Sequence, residues 1–339
     1  MLWKILLLIG SLTFALPSFS QEGVDSNYIH VFKDKIHVRY FLARKYSNVV
    51  ISENGQSSIN YEPNSNVSFG IGATINSFSL NLSYGFNFLN EEEGKGKTEL
   101  FDIQANVYKR KYIIDFFAQL YEGFFLNNTS SFTQNYQEPY YLRPDLASRL
   151  FGVSYLKVFN SSKFSYAAPF VQNEIQEKSA GSFLLGGKMF YSNLFSDSSI
   201  VPFIARDSIY GVISEVERSR AFQIGPTVGY AHSLVIKKRF FVIASLNLSF
   251  MTGPVRFVNF DGIEQKQWQV NPTAGIRMGI GYNSPKWFLG ITFLQEGTTI
   301  KGVDKMGEAS ISGGSLRLNY VKRFEMNTKF KSFLEKLPL

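Results

Sequence analysis

Residues 78–88 alternate strictly, with Phe78, Leu80, Leu82, Tyr84, Phe86 and Phe88 apolar and every residue between them small or polar. A period of two puts all six side chains on one face of an extended strand, whereas a helix would scatter them around its circumference. The same alternation returns over 36–45, 66–75, 99–109, 112–124, 148–159, 164–176, 181–191, 220–233, 239–250, 268–282, 286–297 and 311–324. Most of these segments hold about ten residues or more, enough for a tilted strand to cross a bilayer and longer than most strands of soluble sheets. Short turns at Arg110-Lys111, Lys237 to Arg239 and Ser284-Pro285 alternate with polar stretches at 89–97, 126–146 and 252–267. Short periplasmic turns and longer outer loops are the habit of outer-membrane barrels. The expected fold is therefore all-β, an antiparallel up-and-down transmembrane β-barrel.

Thirteen segments would leave the ends of the chain on opposite sides of a membrane, and single-chain bacterial barrels normally have an even number of strands. The discrepancy falls between 126 and 218, where either one segment fails to cross or another hides in 200–213. Twelve strands is the expectation and fourteen the alternative. Parity also predicts registers. A loop at Arg110-Lys111 sets Asp102, Gln104, Asn106 and Tyr108 opposite Gln119, Phe117, Asp115 and Ile113, and one at Ser284-Pro285 sets Arg277 and Gly279 on the face of Thr292 and Glu296. The last segment turns Leu316, Leu318, Tyr320 and Phe324 outward and is suited to close the barrel against the first.

At the N-terminus, Lys4 precedes an apolar run over 5–16, and Ser18 and Ser20 frame a cleavage site before Gln21. That order reads as a signal peptide over 1–20, too short to span a bilayer as a helix. The barrel is expected over 21–324. A periplasmic tail follows over 325–339, where Phe330, Phe333, Leu334 and Leu337 recur among Lys329, Lys331 and Lys336, the pattern of a short amphipathic helix or a frayed end.

Composition sharpens this picture. Aromatic residues reach 16% while charged residues fall to 18%, so something other than water must face many rings. No cysteine is present, which removes disulfides, thiolate metal sites and a lipoprotein anchor. The formal charge of +8 is scattered and lacks the clustered stripe of a nucleic-acid groove. It points instead to anionic headgroups, so the expected partners are outer-membrane lipid and lipopolysaccharide together with an unidentified envelope protein, and not nucleic acid.

Candidate chemistry is sparse. His30, His37 and His232 have no Ser and acid beside them in a triad pattern, the acidic run Glu91-Glu92-Glu93 lacks the alternating spacing of a calcium loop, and Gly275 to Gly281 is followed by no helix. No catalytic set, metal or cofactor is implied. The inward parity is more informative, because it gathers Asp102 and Asp115 on one wall and Arg277 and Arg317 on another, with Arg39 adjacent through closure. These charges either line a narrow pore or satisfy one another in a closed lumen.

One stretch also carries a family resemblance. Tyr141-Leu142-Arg143-Pro144-Asp145, Phe164-Ser165-Tyr166-Ala167-Ala168, Lys178 to Gly187, and Asp197-Ser198-Ser199-Ile200-Val201-Pro202, in that order and spacing, resemble an uncharacterised family of Bacteroidota outer-membrane barrels, domain of unknown function 4421. The resemblance implies an outer-membrane location and supplies no catalytic residues. Asp207-Ser208-Ile209 further resembles the short sequence O-glycosylated in exported Bacteroidota proteins, with Ser208 as acceptor. The functional expectation is an outer-membrane barrel acting as a narrow pore or solute-uptake barrel. The alternatives are a structural or assembly partner of envelope proteins and, third, a lipid-modifying enzyme.

Overall fold

The computed structural model describes residues 23–32, 35–53, 58–65, 67–75, 78–85, 94–133, 138–208, 212–302 and 307–327. The expected signal peptide over 1–20, the tail beyond 327, the acidic run 91–93 and residues 86–88 lie outside them.

In chain order the strands are β1 (Ile29–Val31), β2 (Lys35–Glu53), β3 (Ile59–Glu62), β4 (Val67–Ile75), β5 (Phe78–Gly85), β6 (Glu99–Tyr108), β7 (Tyr112–Leu126), β8 (Tyr141–Val158), β9 (Glu174–Gln176), β10 (Ala180–Phe195), β11 (Val216–Ile236), β12 (Phe240–Asn259), β13 (Glu264–Asn283), β14 (Trp287–Lys301) and β15 (Gly307–Glu325). Twelve of them form one closed antiparallel ring, in which β2, β4 to β8 and β10 to β15 pair in sequence and β15 pairs back onto β2. That seam runs without a break from Gly307↔Glu53 to Glu325↔Lys35. β3 wedges between the ends of β2 and β7, and β1 pairs with β9 in a separate two-stranded sheet.

The predicted β6–β7 register is the observed one, with Asp102↔Gln119, Gln104↔Phe117, Asn106↔Asp115 and Tyr108↔Ile113. Alternation divides the residues as the pattern requires. Leu42, Ile71, Leu82, Ile224, Leu246, Ile280 and Leu318 are exposed on the outside, while the odd-numbered residues of β2, β11 to β13 and β15 and the even-numbered residues of β14 point inward and are mostly buried.

The segment 164–176 does not cross, which corrects the expectation and reduces thirteen candidates to twelve. Ala167–Phe170 form one helical turn and only Glu174–Gln176 are extended. Pro169 has no N–H to give a ladder, and Gln172, at φ 59, turns the chain back on itself. The segment is tucked into the barrel, with Phe164, Tyr166 and Val171 buried. The stretch 200–213 hides no strand among its described residues, and it holds a 3-10 turn at Phe203–Ala205. β8 starts at Tyr141, so the loop before it is shorter than the polar stretch suggested.

Two local devices shape the ends. The β11–β12 turn holds Lys237 at φ 50 and Lys238 at φ 61, closed by the Arg239 N–H on the Ile236 carbonyl at 3.2 Å. On β7, Gly123 at φ +87 forms a bulge opposite β8, and a Cβ there would meet the Lys97 carbonyl oxygen at 2.3 Å.

Candidate functional site

The inward positions build three layers. Towards the long-loop end, Val49, Ile51, Tyr121, Leu150 and Phe190 pack with Tyr61 of β3 and with Ile200 and Val201 from the β10–β11 loop. Towards the short-turn end, Ile113, Leu184, Ile243 and Phe288 pack around Phe164, Tyr166 and Val171 of the inserted segment. Between these apolar layers lies a belt of charged and amide side chains.

The belt holds three sets of contacts, the largest centred on Arg277. Arg277 places Nη2 2.7 Å from Asp115 Oδ2 and 3.5 Å from Glu296 Oε1, and its Nη1 donates to the Tyr108 hydroxyl at 2.6 Å. Tyr108 in turn donates to Asp115 Oδ1 at 2.7 Å, which also accepts from Asn106 at 2.7 Å. Lys188 reaches across the lumen to Glu296 Oε2 at 2.5 Å. Lys45 pairs with Asp102 at 3.0 Å, and Gln119 donates to the second oxygen of that carboxylate at 2.8 Å. Arg317 donates to Gln104 and lies over the Phe41 ring, 5.3 Å from its centroid. Inward glycines leave room for these groups: a Cβ on Gly275 would meet Glu296 Oε2 at 2.5 Å, and one on Gly313 would meet Gln119 Oε1 at 1.8 Å. The space left between Gln104, Asn106, Asp115, Arg277 and Glu296 is about 20 Å³, room for about one water molecule.

Below the belt, two arginines hold the inserted segment. Arg39 donates to the Gln172 side chain and, at 3.2 Å, to the Val171 carbonyl. Arg323 donates to the Gln172 carbonyl at 2.8 Å and to Asn283 Oδ1 at 2.8 Å. Asn283 donates to the Glu174 carbonyl at 3.0 Å, and Glu174 pairs with Arg110. Burial pushes the Tyr166 hydroxyl above its usual range, although Arg277 beside it acts in the opposite sense. At the long-loop end, burial likewise raises the Tyr61 hydroxyl against the pull of Arg143. Arg143 is itself fixed by Asp145 at 2.8 Å and donates to Ser198 at 3.1 Å.

Residues 23–324 match the family described as a domain of unknown function, DUF4421. The chain belongs to this family. No curated protein matches it. Among solved structures it is similar to the Escherichia coli outer membrane protease OmpT, at 9% identity and a TM-score of 0.42, covering 92% of this chain and 100% of that one. It is also similar to the P. putida toluene transporter TodX, at 10% identity and a TM-score of 0.33, covering 87% and 92%. At 9% identity and a TM-score of 0.28, the outer membrane protein OmpT of Vibrio cholerae covers 84% and 99%. At such identities the likeness extends to the path of the chain alone.

In this DUF4421 chain the structure brings Asp115 and Arg277 into contact and joins Asp102 to Lys45 instead of to an arginine of the far wall. Arg39 is turned to the inserted segment and Arg317 to Gln104. His30 lies in β1, buried His37 lies tilted against the Phe32 ring with centroids 5.6 Å apart, and outward-facing His232 lies 3.3 Å from the Tyr230 hydroxyl. Ser208 sits half-buried in the β10–β11 loop, its N–H on the Ala205 carbonyl at 3.0 Å, and Ile209 lies outside the described residues. Sequence reasoning missed Lys45, Lys188 and Gln172. The two lysines share the inward parity of Arg39 and Leu184 and were open to the same argument, whereas no sequence signal marks Gln172.

Proposed function

We propose that this DUF4421 chain is an exported outer-membrane barrel, closed to solutes in the conformation described, that serves as a membrane-anchored structural or assembly partner of other envelope proteins. The membrane placement is supported by the outward apolar face, where Leu82 is 69% and Phe183 70% exposed; such a surface suits hydrocarbon and is costly in water. The observation that carries the closed reading is the chain of contacts Asp115, Arg277, Glu296 and Lys188, which crosses the lumen between two apolar layers. A conducting path needs a continuous wet route, and neither the 20 Å³ space nor the packed layers above and below it provide one.

A second reading, a narrow pore opened by withdrawal of the inserted segment, is favoured by Gln172. A glutamine in the left-handed region is a local cost held in place by its surroundings, and here the surroundings are Arg39 and Arg323, which bond only neutral oxygens of that segment. Planar-bilayer recording separates the two. The wild-type barrel should give no stable conductance steps, and such steps would overturn the closed reading. The folded variant Arg39→Ala/Arg323→Ala should also stay silent if the role is structural, whereas steps appearing in that variant alone would establish the gated pore. We further infer that Ser208 carries the O-glycan, so an intact mass equal to that of the unmodified chain would remove this assignment.

A further inference from the structure

Directly paired residues of an antiparallel sheet stand side by side, so a row can be followed across strands from register alone. One such row begins at Arg149 of β8 and continues through Asn193 of β10, Arg220 of β11, Arg256 of β12 and Lys266 of β13. Arg149, Arg220, Arg256 and Lys266 are exposed on the outside of the barrel towards its long-loop end. Two residues nearer the short turns, the outward positions are Phe151, Tyr191, Phe222, Pro254 and Trp268, and below these the face is apolar through Ile224, Val228, Leu248 and Val270. A cationic row therefore caps an aromatic one.

The row is unfavourable by itself. Like charges directly opposite on neighbouring strands repel, yet Arg220 faces Arg256 and Arg256 faces Lys266. One carboxylate, Glu264, lies 3.4 Å from Arg256 and 3.8 Å from Lys266. Four cations against this one anion leave a surplus of three, and neither Arg149 nor Arg220 has a carboxylate partner among the described residues. Arg149 and Arg218 flank the Phe195 ring at 4.8 and 5.3 Å, which holds both guanidiniums at the surface. At about 4.8 Å per strand the row runs about 19 Å from Arg149 to Lys266, wide enough for two phosphates on one headgroup.

We propose that this row binds the phosphates of a glycolipid of the outer leaflet, the phosphorylated sugar headgroup of lipopolysaccharide, with the aromatic row at the boundary between headgroup and acyl chains. Charge complementarity selects a ligand that bears phosphates, and the aromatic and apolar rows below select one that carries acyl chains. The proposal rests on the outer-membrane placement argued above, with the long loops facing outward.

The test uses the full-length mature protein in neutral detergent micelles, with retention of bisphosphorylated lipid A, dephosphorylated lipid A and phosphatidylglycerol read by native mass spectrometry. Wild type should retain bisphosphorylated lipid A at least tenfold more tightly than the dephosphorylated form. Arg220→Gln/Arg256→Gln should lose about tenfold or more of that preference, since each basic residue contributes appreciably at an anionic surface. Lys237→Gln/Lys238→Gln, at the opposite end, should lose none. Equal retention of the two forms of lipid A, an unchanged row variant, or phosphatidylglycerol retained best would each overturn the proposal. Failure of the membrane reading would look different: the folded protein, checked by heat-dependent gel mobility, would stay monodisperse after the detergent is removed.

Discussion

Arg277 shows what one residue costs and contributes inside a barrel. Taking a guanidinium out of water is unfavourable by several kcal/mol, and only close, well-oriented oxygens offset it. Asp115, Glu296 and Tyr108 supply them, while Nε remains without a partner. Removing one member strands the other, so Arg277→Ala and Asp115→Ala should each lower the unfolding free energy by about 3–5 kcal/mol in urea titrations of the vesicle-inserted protein. The loss in the double variant should be smaller than the sum of the two. A loss below about 1 kcal/mol in both single variants would show that the pair is not buried in this way. Parity made part of this legible: a residue on the wet face of a strand must point inward, which placed Asp102, Asp115, Arg277 and Arg317 in one lumen. Partnership was not legible, because it depends on which strands face each other after closure. Asp102 consequently meets Lys45 of β2, and Glu296 meets Lys188 from 108 residues away.

At the scale of elements, the alternation that identified twelve other candidates correctly also marked 164–176, where Phe164, Tyr166, Ala168 and Phe170 follow the strand template. A side chain buried against the inner wall and one buried in lipid leave the same apolar imprint on the sequence. Only the need for an even strand number argued otherwise. The turns were legible by length and not by strain. Lys237 and Lys238 both occupy the left-handed region, which favours Asn and Gly and costs other residues roughly 1 kcal/mol each. Lys237→Asn/Lys238→Gly should therefore raise the unfolding free energy by about 1 kcal/mol in the same titration, and a decrease would mean that the lysines make contacts outweighing their backbone cost. The bulge at Gly123 predicts the reverse sign at its own position, since any side chain there meets the Lys97 carbonyl.

For the molecule as a whole, the ring and its layered interior leave one strand pair with a special status. β2 and β15 are the first and last members of the ring, and their seam joins residues that lie about 250 to 290 positions apart in the chain. Deleting 307–327 should leave β14 and β2 with unsatisfied ladders, so the truncated protein should refold into species larger than a monomer by light scattering. A monodisperse folded monomer would show that the remaining eleven strands can close on their own. The same seam sets the timing of assembly. Bringing together ends so distant in sequence is slow because it must precede the contacts that reward it, and both edges stay open to any other strand until the C-terminal one arrives. The nascent barrel thus passes through a stage at which it is as ready to pair with a neighbour as with itself, and its reliable production depends on keeping copies apart during that interval.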